Sequence, residues 1–162
     1  MFPRVWAVSC LLFLAACSSY GPPADLAGLS REQVIARMGP PDREHAVGGE
    51  TRLEFPRGPY GHHTWFVSFD ASGRATRAEQ VLTEQQFGRI IPGMDADAVR
   101  NRLGRPNEER TLGRSRGVVW NYRYENPQCL WFQVEIAADR TVRSAGYGQP
   151  PECDRDFEII IP

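Results

Sequence analysis

Apolar, polar and glycine positions recur along this chain in the same order twice. Gly28-Leu29-Ser30 is followed by Val34, Met38, Gly39 and Pro41, and Gly93-Met94-Asp95 is followed by Val99, Leu103, Gly104 and Pro106, at a constant offset of 65 residues. Ser30 and Asp95 are N-cap residues whose side-chain oxygens accept from first-turn amides, and Ser30 with Gln33 makes a capping box. Leu29 and Met94, one place earlier, can staple onto Val34 and Val99. Met38 and Leu103 continue the apolar face one turn later. Gly39 and Gly104 suit the left-handed residue that closes a helix, and Pro41 and Pro106 forbid its continuation. Two short helices are predicted, over 31–38 and 96–103.

After each helix the period changes from helical to alternating, which predicts antiparallel strands with one buried face. Trp65, Val67 and Phe69 alternate in the first copy, and Phe132, Val134 and Ile136 in the second, now at an offset of 67. The second copy therefore gains two residues between helix and strand, in a hairpin where extra length is tolerated. Turns are marked by Gly48-Gly49, Ser72-Gly73, the stretch from Gly113 to Gly117, and Asn126-Pro127. Leu53, Phe55, Trp120, Tyr122 and Tyr124 are also expected in sheet. Thr83-Glu84-Gln85-Gln86-Phe87 is another capping-box pattern and opens a brief helix before Gly93. Its counterpart would fall at 18–22, so the first copy has lost its leading helix or uses that segment as a tether. The fold class is α+β: two tandem repeats, 28–82 and 83–148, each a short helix or helix pair followed by an antiparallel meander of three to four strands. Residues 149–162 form a C-terminal tail.

Ahead of the first repeat, Arg4 is the only early positive charge. The run from Val5 to Leu14 is long enough for a signal-peptide core and too short to span a bilayer. It ends in Leu14-Ala15-Ala16-Cys17, which resembles a bacterial lipobox, and polar Ser18-Ser19-Tyr20-Gly21-Pro22-Pro23 follows. That resemblance implies a signal peptide over 1–16, lipidation of Cys17 and a tether over 17–27. Several acyl chains, at about 0.8 kcal/mol per buried CH₂, make a firm anchor. A tether of about ten extended residues covers at most about 35 Å. Serine after the cysteine, with no aspartate, fits lipoproteins passed on to the outer membrane of a Gram-negative cell. The alternative is an ordinary secretory signal with an incidental cysteine.

A lipobox followed by helix, Gly-x-Pro and an aromatic-rich meander resembles the SmpA/OmlA (BamE-like) family of small envelope lipoproteins. The matching positions are Gly28-Leu29-Ser30, Val34 and Gly39-x-Pro41, then Gly93-Met94-Asp95, Val99 and Gly104-x-Pro106. The tandem arrangement also looks like the doubled helix-plus-sheet architecture of the β-lactamase inhibitor protein superfamily. The first resemblance implies an adaptor that docks on partner proteins, and sometimes phospholipid, and performs no chemistry. Two repeats in place of one, a cysteine pair and an apolar tail depart from that family.

The formal net charge is −1, and losing Arg4 with the signal makes it one unit more negative, so no basic field invites nucleic acid. All 19 basic side chains are arginine. With Cys10 in the signal and Cys17 lipidated, Cys129 and Cys153 remain. In an oxidising compartment they suggest a disulfide worth about 3 kcal/mol in chain entropy, with two buried free thiols or a metal or redox pair as alternatives. His45, His62 and His63 make a poor metal set, because neighbouring histidines on an extended segment point to opposite sides. No metal and no cofactor is expected.

Gly113-Arg114-Ser115-Arg116-Gly117 matches the G-x-S-x-G nucleophile elbow, but strand patterns flank both sides where that motif needs a helix after it. Asp95 and Asp97 serve the helix start, and Glu108 and Glu109 fit a solvated strand edge. Gly58-Pro59-Tyr60-Gly61 lacks the lysine and helix of a phosphate loop. Tyr60, His62 and Trp65 are the candidate partner-binding residues. Phe157-Glu158-Ile159-Ile160-Ile161-Pro162 is either a docked or disordered end or an exposed strand that pairs with a partner edge. The expectation is a non-enzymatic, outer-membrane-anchored periplasmic lipoprotein. Its lipid holds it to the membrane, and it acts as a protein-binding scaffold for envelope proteins such as the β-barrel assembly machinery. The alternative is a periplasmic inhibitor or ligand-binding module that uses a concave face formed by the two sheets.

Overall fold

The computed structural model describes residue 23 and residues 25–113 and 116–153. The signal peptide, Cys17, Ser115 and the tail segment from Phe157 lie outside the described residues.

Ser30 caps the first helix, α1 (Arg31–Met38): its side chain accepts from the Gln33 N–H, and its own N–H donates to the Gln33 side chain at 2.8 Å. Thr83 caps the one-turn α2 (Glu84–Phe87), and Asp95 caps α3 (Ala96–Leu103). Gly39 and Gly104 end α1 and α3 with φ of 77° and 81°, their N–H groups donating to the carbonyls of Ile35 and Arg100. Their ψ values, −174° and −164°, differ from the left-handed helical cap that the sequence pattern predicts. Glycine is still required, since this region of positive φ and extended ψ is open to almost no other residue.

Each helix leads into a four-stranded antiparallel meander in simple sequential order. Sheet 1 holds β1 (Arg43–Val47), β2 (Glu50–Arg57), β3 (His63–Phe69) and β4 (Ala75–Gln80). Sheet 2 holds β5 (Glu108–Leu112), β6 (Gly117–Arg123), β7 (Trp131–Ile136) and β8 (Val142–Gly148). Gly48 and Gly49, both at positive φ, form the two-residue link between β1 and β2, while β5 and β6 are joined by the four residues 113–116. The two extra residues of the second copy lie in that hairpin. Before each main helix the chain bridges to the start of the last strand of its own sheet, Ser30 to Arg74 and Asp95 to Thr141.

Burial of apolar side chains joins each sheet to its helix. Leu53, Phe55, Trp65, Val67 and Phe69 pack with Val34 and Met38 of α1. Trp120, Tyr122, Phe132, Val134 and Ile136 pack with Val99 and Leu103 of α3. Each such side chain contributes about 1.5–3 kcal/mol on leaving water.

The expectation of one buried face per sheet fails at Val119, Asn121 and Trp131 of sheet 2, which are buried on the side away from α3, and more fully in sheet 1. Residues on the opposite side of β3, Thr64, Phe66 and Ser68, are also buried. The cause is α3, which covers that side: Arg52 donates to the Asn101 carbonyl at 2.9 Å, Glu54 accepts from the Arg105 N–H at 2.7 Å, and Phe66 belongs to the same cluster as Val99. The layers therefore run α1, sheet 1, α2 with α3, sheet 2. Because a helix occupies the second face of sheet 1, the two sheets do not present one open concave surface. Among the described residues no helix is long and apolar enough to cross a membrane.

Candidate functional site

The connection from β2 to β3 begins at Gly58-Pro59, where proline presets φ for a tight bend. Pro59–Gly61 forms a 3-10 turn in which Tyr60 takes φ 56° and ψ 18°. This left-handed conformation costs a non-glycine residue about 1–2 kcal/mol. It accompanies the most exposed large hydrophobic side chain among the described residues, with Tyr60 at 76 %.

Asn107, in the connector between α3 and β5, holds the turn. Its side-chain nitrogen donates to the carbonyls of Tyr60 at 2.9 Å and Gly61 at 3.3 Å. Its side-chain oxygen accepts from the Arg123 N–H at 2.6 Å, and its own N–H donates to the Asn121 carbonyl at 2.9 Å. One residue thus ties a turn of the first repeat to β6 of the second. The Arg123 guanidinium lies 5.0 Å from the Tyr60 ring centroid and 4.6 Å from that of Trp131. Each contact of this kind adds about 0.5–1 kcal/mol.

The opposite wall is the link between β6 and β7. Asn126 folds it on itself, donating to the carbonyls of Tyr124 and Leu130 and accepting from the Leu130 N–H. Cys129 in this link is disulfide-bonded to Cys153, with their Cα atoms 6.3 Å apart. That bond fastens the short Pro151–Cys153 turn after β8 to the same loop. His63, at the start of β3, reaches the loop as well, with Nε2 at 3.0 Å from the Glu125 carboxylate. Between turn and loop lies a cavity of about 360 Å³ lined by Tyr60, His62, Tyr124, Pro127, Leu130 and Trp131, among others. Burial, then the neighbouring Tyr147 and Glu84, push the Tyr124 phenol above its ordinary range. It therefore stays neutral at any physiological pH.

Two of the three residues singled out from sequence meet here. Tyr60 and His62 both line the hollow, their ring centroids 6.4 Å apart. Trp65 does not join them, being 8 % exposed within the core of the first repeat. Sequence reasoning missed Arg123, Trp131 and Asn107. Trp131 and Arg123 carried a faint signal: they pair across β6 and β7 on the side opposite the alternating apolar residues. Asn107 carried none, a lone polar residue after a proline.

For the other candidate chemistries, β5 and β6 pair antiparallel around residues 113–116. Strands thus flank the G-x-S-x-G stretch on both sides, whereas a nucleophile elbow needs a following helix. Among the described residues, no three His, Cys, Asp or Glu gather closely enough to hold a metal ion.

No family model matches the chain, and no curated protein matches it. Three solved structures overlap it in part. A DUF4309 family protein (YjgB) from Bacillus subtilis is 15 % identical over 75 % of this chain and 78 % of that chain, with a TM-score of 0.30. A putative β-lactamase inhibitor protein from Streptococcus mutans is 10 % identical over 78 % and 89 %, with a TM-score of 0.34. An extracellular protein containing an SCP domain from Bacillus anthracis is 11 % identical; the match covers 90 % of this chain and 57 % of that chain, with a TM-score of 0.33. Overlaps this loose transfer no function. The SmpA/OmlA resemblance finds no support among them. The doubled helix-plus-sheet layout expected from the second resemblance is compatible with the two four-stranded meanders seen here.

Proposed function

We propose that this chain is a non-enzymatic binding module of the bacterial envelope. It captures a protein partner in the hollow between the Tyr60 turn and the 124–131 loop. The observation that carries this reading is the exposed Tyr60 ring, held in a costly backbone conformation over an apolar cavity by contacts from the other repeat. An aromatic ring kept in water at that expense, beside a mainly apolar pocket, suits recognition. In this chain an exposed ring beside a hollow supports an inhibitor or ligand-binding module better than an assembly factor. Its contact surface is the seam between repeats and not an open sheet face, since Trp65, Phe66, Trp120 and Phe132 are all buried. The lipobox supports anchoring at the membrane through Cys17.

Site-specific photo-crosslinking in intact cells tests the proposal. A photoreactive residue at position 60 should give a discrete crosslinked protein band. The same residue at Ile91, exposed on the connector between α2 and α3, should not. No band at position 60, or an identical pattern at both positions, refutes it.

A further inference from the structure

A second hollow, of about 490 Å³, lies between the covered face of sheet 1 and the α2–α3 pair. Four arginines line it, Arg52 from β2, Arg77 from β4, Arg89 after α2 and Arg102 from α3, against a single carboxylate, Glu79. A chain with a net charge of −1 thus concentrates an excess of three positive charges in one cleft. Glu79 is already engaged: its carboxylate accepts from Gln86 at 2.6 Å and lies 3.7 Å from Arg77 Nε. Arg52 and Arg102 are held in place, donating to the Asn101 carbonyl at 2.9 Å and to Gln86 Oε1 at 3.2 Å. The Nε atoms of both are buried without a hydrogen-bond partner. Arg52 also stacks 5.1 Å from the Phe66 ring centroid, which gives the cleft an aromatic floor. Burial first, then the repulsion of Arg77, lowers the affinity of the Arg52 guanidinium for its proton. An anion would relieve that repulsion.

This cluster is not a by-product of the duplication. At the 67-residue offset, Arg52, Phe66 and Arg77 correspond to Val119, Gln133 and Ser144, so sheet 2 carries no such set. The cleft also exists only because a helix of the second repeat lies over the first repeat's sheet. Guanidinium groups gathered in one cleft, two of them held in place, favour tetrahedral oxyanions, which they bind through paired N–H donors. We infer that this cleft is a binding site for a phosphate-bearing ligand, its charged group held by Arg52, Arg77, Arg89 and Arg102 and its body resting against Phe66. The ligand is either a soluble phosphate ester or a lipid headgroup, and the site is separate from the Tyr60 hollow.

Calorimetric titration with inorganic pyrophosphate tests the soluble source. Flotation with phosphatidylcholine vesicles, with and without phosphatidic acid, tests the lipid source. The variant is Arg77→Gln/Arg89→Gln, two exposed arginines whose loss leaves the Arg52 and Arg102 contacts in place, and the control is Arg110→Gln on β5. Saturable one-to-one binding of pyrophosphate, weakened at least tenfold in the double variant and unchanged in the control, supports a soluble ligand. Binding only to phosphatidic acid vesicles, with the same dependence on Arg77 and Arg89, supports a headgroup. Absence of binding in both arms, or binding that the double variant and the control weaken equally, overturns the inference.

Discussion

Replacing Glu54 by glutamine should stabilise this protein at neutral pH, although the substitution removes a charge that accepts a hydrogen bond. Glu54 has 0 % exposure and sits where sheet 1 meets the residues that follow α3. Oε1 accepts from the Arg105 N–H, but Oε2 has no hydrogen-bond partner and lies 3.8 Å from His45 Nε2, which is also buried and unpartnered. Burial dominates both titrations. It raises the Glu54 carboxyl, with Asp42 adding to the rise while the Arg105 hydrogen bond and the charges of Arg43 and Arg105 oppose it. It lowers His45, helped by Arg43 and Arg52. The folded state therefore holds the Glu54 proton more tightly than the unfolded chain does. The stability this group contributes is complete below the unfolded carboxyl value of 4.5 and is lost as pH rises through the raised folded value. His45 acts in the opposite sense, its contribution falling away as pH drops below 6.5 through the lowered folded value.

Glutamine keeps an oxygen for the Arg105 N–H, adds N–H donors that His45 can accept, and has no proton to lose. Satisfying a buried polar group that lacks a partner is worth about 1–3 kcal/mol. Glu54→Gln should therefore gain about 1–2 kcal/mol at pH 7.5, a rise in melting temperature of about 3–8 °C. The gain should shrink as pH falls towards 4.5, because the raised Glu54 carboxyl takes up its proton on the way down. At pH 7.5, above 6.5 and above its lowered folded value, His45 is neutral, so the difference there belongs to residue 54. Urea unfolding of the two proteins at pH 4.5, 6.0 and 7.5 measures the gap directly. A variant that is less stable at pH 7.5, by an amount that does not change with pH, refutes the reasoning: the carboxylate would then be satisfied as an anion.

Three further perturbations bear on the seam and the core. Reducing the Cys129–Cys153 bond opens a link across a sequence separation of 24 and should cost about 3 kcal/mol by chain entropy, read as a lower urea midpoint in dithiothreitol. Asn107→Ala removes side-chain bonds to Tyr60, Gly61 and Arg123 at an exposed position, so the stability loss should stay near 1 kcal/mol while crosslinking from position 60 falls sharply. Gly104→Ala should cost at least about 2 kcal/mol in urea unfolding, because φ is 81° and a Cβ there would meet the Glu54 carboxylate and Thr64.

The sequence revealed what depends on local chemistry and hid what depends on the packing of one repeat on the other. Capping oxygens, closing glycines and the alternating apolar residues act within a few positions. Both main helices accordingly fall where Ser30 and Asp95 place them, and both sheets follow in order. The second face of sheet 1 was illegible because its contacts are polar. Arg52, Glu54 and Ser68 would pass for a solvated strand face and Arg102 for part of a solvated helix face, yet Glu54 and Ser68 are buried and both arginines half-buried where the two elements meet. Phe66 was the one warning, an aromatic on the side where alternation calls for a polar residue.

The same distinction explains why the arginine cleft escaped the sequence and why the hollow was legible only in Tyr60 and His62. In the tandem arrangement α3 has two jobs, burying Val99 and Leu103 against its own sheet while its other side closes over sheet 1. The arginine cleft lies along that second contact, and the Tyr60 hollow lies where the connector after α3 carries Asn107 across to the first repeat. Neither repeat alone holds either site. A chain carrying only residues 28–82 would keep Tyr60, His62, Arg52 and Arg77 but lose Asn101, Asn107 and Arg123, which hold Arg52 and the Tyr60 turn from the second repeat. Duplication with close stacking therefore does more here than enlarge a core: it creates two clefts between units that are nearly alike in fold, and differences such as Arg52 against Val119 give those clefts their chemistry.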